Sequence, residues 1–310
     1  MANDKLFKEL LGKLAGKEMT GNLKDDIETL EKNCNAIQMA LAPKLEVSLA
    51  EYKEPCPFCF SGGEGRLAEI VWFGLNPGAP LDVWKKFNED DTWQDMAEFF
   101  APPKGILYDE ENAYQYLVKN EMEGKKLGNY YYRSVFLVHQ ALVGNPKASY
   151  ESWEEACENN GETKDFADRF LPQLAEHPIL NTDLIPYKSS KMNLNADELI
   201  DDGNYGEYFK GLLQLAKEKS SNDAYIIFYG GVSFVKRLIR KWAELDKVKI
   251  WSRREIKRLQ KKNKDTVDIF LTKWHENRTI ILMPFRKQGR EDNIYSIKDL
   301  VEKVEDFRKK

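Results

Sequence analysis

A chain of 310 residues with 42% hydrophobic and 12% aromatic side chains can bury a substantial core, which excludes a disordered tail or a disulfide-stapled miniprotein and predicts one large domain or a domain with an appendage. Four cysteines make no disulfide framework in so long a chain, and the longest apolar runs, such as residues 224–234, fall well short of the ~18 to 20 residues of a membrane-spanning helix. The opening MANDKLFKELLGK has no signal-peptide apolar region, so the expectation is a cytoplasmic protein without a membrane partner.

The formal net charge of −4 hides an uneven distribution. Residues 236–264 hold thirteen Lys and Arg against three Asp and Glu, which is +10 for that segment and −14 for the remainder. Such a segment reads either as a phosphate-binding face or as a solvated, charged helical hairpin.

In chain order, residues 5–14 and 22–41 carry apolar side chains at helical spacing and predict an N-terminal helical extension over residues 1–60. A Pro- and Gly-rich loop then leads into the domain of residues 61–310. Strands are predicted at 69–73, 179–184, 224–229 and 279–283, with helices at 205–219, 233–245 and 296–309. Residues 134–138 fit a short strand or a buried helical segment, and residues 267–274 fit an antiparallel neighbour of the last strand. The alternation predicts an α/β fold, three-layer α/β/α with a central, mainly parallel sheet.

In such a sheet the loops at the carboxyl ends of the strands converge, so their residues form the default ligand site. The first strand ends in Gly74-Leu75-Asn76-Pro77-Gly78. The second contains Asn181 and runs on through Ile185-Pro186-Tyr187-Lys188-Ser189. The third ends in Gly230-Gly231, and the fourth in Met283-Pro284-Phe285-Arg286-Lys287-Gln288-Gly289.

The string EIVWFGLNPG resembles the first active-site motif of the uracil-DNA glycosylase superfamily, in the G-x-N-P-G form of its mismatch-specific and single-strand-selective members. ILNTDLIPYKSS resembles the family's second strand with its base-reading asparagine, and YIIFYGGVSFVKRL its next strand and glycine turn. IILMPFRKQG stands in the place of its closing His-Pro-Ser or Asn-Pro-Ser motif. The resemblance implies hydrolysis of the N-glycosidic bond of uracil or another aberrant base in DNA, with the base flipped into a pocket. It assigns a catalytic, water-positioning role to Asn76 and base recognition to Asn181. Gly74, Leu75, Pro77, Gly78, Met283, Pro284 and Phe285 line the substrate, and DNA is the partner, met by Arg286, Lys287, Gln288 and Arg290 and by Arg253, Arg254 and Lys257 of the basic segment. Phe285 or Gln288 is the expected wedge into the duplex. An asparagine suits both roles, because its amide donates and accepts. The departure is at the close, where Met283 replaces the donor and Phe285 the serine. Losing one preorganised donor to a departing anion costs about 10² to 10³ in rate.

No cofactor is required for this chemistry. Cys56-Pro57-Phe58-Cys59 has the spacing of a zinc or iron-sulfur half-site, but the chain lacks a second close pair and free thiols are expected. His139, His177 and His275 lie far apart with no metallohydrolase spacing and are expected to be structural. The rival expectations are a nucleic-acid or nucleobase binder that has lost catalysis at Met283, and a protein-interaction scaffold.

Overall fold

The computed structural model describes residues 2–22, 25–26, 29, 59–61, 67–75, 130–143, 176–185, 196–243, 251–258, 266–285, 287–288, 291–292 and 295–310. Its helices are α1 (Ala2–Ala15), α2 (Tyr130–Leu142), α3 (Ala196–Asp201), α4 (Gly203–Lys219), α5 (Val232–Trp242) and α6 (Ile297–Arg308). Its strands are β1 (Cys59–Ser61), β2 (Ala68–Gly74), β3 (Ile179–Asp183), β4 (Ser220–Tyr229), β5 (Ser252–Lys257), β6 (Thr266–Trp274) and β7 (Arg278–Met283), followed by the two-residue strands β8 (Lys287–Gln288) and β9 (Glu291–Asp292).

The first seven strands form one sheet in the order β1-β3-β2-β4-β7-β6-β5. The central four, β3, β2, β4 and β7, run parallel, and β1, β6 and β5 extend the sheet antiparallel to their inner neighbours. The protein is therefore α/β with a mixed sheet whose centre is parallel. β2, β7 and residues 224–229 of β4 are near-continuous apolar runs buried on both sides, as parallel strands covered by helices must be. The first parallel strand lies between the second and the third, so the chain reverses direction across the sheet between β2 and β4. That is the topological switch point.

Strand alternation sorts the side chains onto two faces. Phe73 and Phe228 stack at 4.7 Å and meet Phe209 of α4 on one face. Trp72 and Tyr229, 5.0 Å apart, lie on the other, where the Tyr229 hydroxyl donates to Ser134 of α2. Helices thus cover both faces, with α6 packed beside α2 and against β5. α1 lies on α4, where Leu10 fits a surface that only Gly211 leaves open, and Leu10, Leu11 and Leu14 join the common core. The expected boundary at residues 60 and 61 falls inside β1.

Of the two alternatives for residues 134–138, the helical one is found, within a thirteen-residue helix. The basic segment is no helical hairpin, because β5 pairs residue by residue with β6 and buries Ile256. Asn181 lies inside β3, covered between β1 and β2, in keeping with the expectation that the second strand contains it. Most of the helix expected over residues 22–41 lies outside the described residues.

Candidate functional site

Two backbone hydrogen bonds continue the pairing of β2 and β3 beyond the strands, Leu184 N to Gly74 O and Ile185 N to Leu75 O, each 2.9 Å. They fix Gly74 and Leu75, the stem of the first motif, against the exit of β3. The catalytic candidate Asn76, with Pro77 and Gly78, lies outside the described residues. Asn181 is 5% exposed and stands in register between Phe60 and Trp72. Parallel pairing puts it on the same face as Trp72, Tyr229 and Met283.

The same alternation brings a residue to this edge that the motif reading overlooked. Asp183 closes β3, in register with Gly74 and two residues beyond Asn181. Its carboxyl is half-buried, and burial pushes it up to about 7. The sequence signal was a lone carboxylate two positions past an asparagine on one face of a strand. It has no motif value until the strand is seen to end there.

At the switch point, Gly230 and Gly231 take φ of +88° and +55°, a conformation glycine adopts without strain. The Gly230 N–H donates to Met283 O at 2.8 Å, tying the ends of β4 and β7. Phe285 lies directly over Gly230, where a β-carbon would overlap its ring, and meets Tyr229 edge-on at 5.0 Å. Its ring is seated on the glycine turn. Met283 is fully buried as the last residue of β7, and Pro284 O accepts from Tyr295 at 3.1 Å. The closing motif is thus held from both sides, with no side-chain donor at position 283.

The DNA-contact candidates of β5 fall on two faces. Arg253 and Lys257 fall on the α5 face of β5 and Arg254 on the α6 face, by alternation. The Arg253 guanidinium bonds Asp268 at 2.8 Å and Glu255 at 3.3 Å, and Asp268 raises its pKa further. On α5, Arg237 pairs with Asp197 and Lys241 with Asp201, whose carboxyl Lys241 holds below its ordinary value. Part of the +10 is therefore answered within the fold. Lys287 and Gln288 form β8, paired with Asp292 and Glu291 of β9, while Arg286 and Arg290 lie outside the described residues.

The histidines are distant in sequence, but two meet at the opposite edge of the sheet. His139 Nε2 is 2.7 Å from His177 O, and His177 Nδ1 is 3.0 Å from Glu69 Oε1. Burial lowers His139 to about 4. Among the described residues no group of three His, Cys, Asp or Glu side chains is placed to hold a metal. Cys56 lies outside the described residues, and only the backbone of Cys59 is described. No family model, curated protein or solved structure matches the chain. Among the described residues no helix is long and apolar enough to cross a membrane.

Proposed function

We propose that the chain is a monofunctional DNA glycosylase of the uracil-DNA glycosylase type, hydrolysing the N-glycosidic bond of uracil or another aberrant base. One observation carries the reading: the four strands that bear the resembling segments are adjacent and parallel, and their carboxyl ends meet around the switch point between β2 and β4. Asn181 reads the base from inside β3, and Asn76, next in sequence after Gly74 and Leu75, positions the water. The base leaves as an anion while the sugar gains positive charge, so groups preorganised around the leaving base lower the barrier.

The buried Met283 favours a second reading on the same fold, a binder of nucleic acid or nucleobases without catalysis. Abasic-site formation on uracil, G-T and hypoxanthine oligonucleotides, single- and double-stranded, separates the two. The glycosylase reading expects product that disappears in both Asn76→Ala and Asn181→Ala. Salt-sensitive DNA binding with no product at enzyme excess would replace it with the binder.

A further inference from the structure

We propose that Asp183 is the proton acceptor of this site, taking the proton of the attacking water that Asn76 can only orient. The inference rests on the glycosylase reading and deepens it. An amide has no useful basicity, so a site with Asn76 and Asn181 alone can hold a water and a base but has nowhere to put a proton. Among the described residues that end the four parallel strands or follow them directly (74–75, 183–185, 229–231 and 283–285), Asp183 carries the one carboxyl group.

Its position suits the task. The register sets it opposite Gly74, two positions before Asn76 in sequence, the bonds from Leu184 and Ile185 fix Gly74 and Leu75, and it shares its strand face with Asn181. Among the described residues, those that strand pairing sets beside it carry no charge. On β3 its neighbours are Asn181, Thr182 and Leu184, β2 offers Gly74 and Leu75, and β1 sets Cys59 opposite Thr182. Tyr229 of β4 gives its hydroxyl to Ser134, Tyr205 of α4 gives its own to Leu184 O, α2 has Arg133 in its first turn, and His139 is occupied at the far edge. Burial is the cause of the raised pKa, which puts the carboxyl near the value at which a general base works best at neutral pH.

In the step, the water oxygen forms its bond to C1′ as the C1′–N bond breaks. The bonding pair leaves with the base nitrogen, and the water proton passes to the Asp183 carboxylate. From there it is returned to the departing base or to solvent.

The test is single-turnover excision from pH 5 to 9 with wild type, Asp183→Asn, Asp183→Glu and Asn181→Ala, alongside urea unfolding and DNA affinity for each. The expected result is a wild-type rate that rises through about pH 7, a loss of about 10² to 10⁴-fold in Asp183→Asn with folding and DNA affinity kept, and partial activity with a displaced profile in Asp183→Glu. Wild-type rate and profile in a folded Asp183→Asn, while Asn181→Ala is inactive, would overturn the role of Asp183 and leave the glycosylase reading standing. No product from wild type at any pH would overturn both.

Discussion

The two edges of the parallel sheet are built to opposite rules. At the amino edge, the described buried polar groups are extensively paired. Arg278, 3% exposed, donates to Ser220 Oγ at 3.0 Å, Ser220 O at 2.9 Å, Lys217 O at 3.0 Å and Asn222 Oδ1 at 3.3 Å, and pairs with Glu276. His139, His177 and Glu69 continue that edge. At the carboxyl edge the chain spends glycines on left-handed turns, seats an aromatic ring on one of them, and half-buries a carboxyl that burial keeps protonated to near neutrality. Saturated polar groups lock a structure, whereas a perturbed carboxyl in a crevice has chemistry left to do. On the proposed reading, the difference separates the end that holds the fold from the end that would meet a ligand.

The contrast breaks most sharply at Arg278. Arg278→Ala strands several buried acceptors and is expected to cost about 3 kcal/mol or more in urea unfolding, while the molecules that stay folded keep their DNA affinity. A comparable loss of affinity per folded molecule would show that the edges are coupled. Gly230→Ala strikes the other edge. The left-handed φ and the Phe285 ring both oppose a β-carbon, so about 1 to 3 kcal/mol of stability is lost, and excision and DNA binding are expected to fall with it.

In the wild type the net pH dependence is small, because the edges oppose each other. Folded His139 stays neutral to about pH 4, while the unfolded chain takes up that proton near 6.5, so its contribution is complete above 6.5 and lost as pH falls towards 4. Folded Asp183 keeps its proton to about 7, while the unfolded chain releases it near 3.8, so stability from this group is greatest at acid pH and lost as pH rises towards 7. Between about 4 and 6.5 the two slopes offset. Asp183→Asn should leave stability rising with pH across that window, and His139→Gln should leave it falling, both read from urea midpoints.

Much of the core was legible because parallel strands covered on both faces advertise themselves as apolar runs: Glu69 to Phe73, Ala224 to Tyr229 and Thr279 to Met283 all lie within β2, β4 and β7. The antiparallel place of β6 was legible too. What escaped depended on partners far along the chain. Ser-Arg-Arg-Glu-Ile-Lys has no apolar run, and β5 exists because β6 offers it a ladder and the core takes Ile256. The three residues of β1 become a strand on the exposed edge of β3. At the site, the motif spacing marked Asn181 and the Gly230-Gly231 turn. The shift on Asp183 is a property of packing and has no trace in spacing, and the seat of Phe285 on Gly230 brings together residues of two separate strands.

The sheet order also constrains when the site can exist. β7 lies between β4 and β6, so the last parallel strand to be synthesised fills a central position, and α1, made well before α4, rests on it. A nascent chain therefore exposes the edges of β2 and β4 and the apolar side of α1 until most of its length is available. Contacts so distant in sequence slow folding and lengthen exposure to aggregation. Completion of the carboxyl edge is consequently a late event, and truncation before Met283 removes the partner of β4 as well as the closing motif.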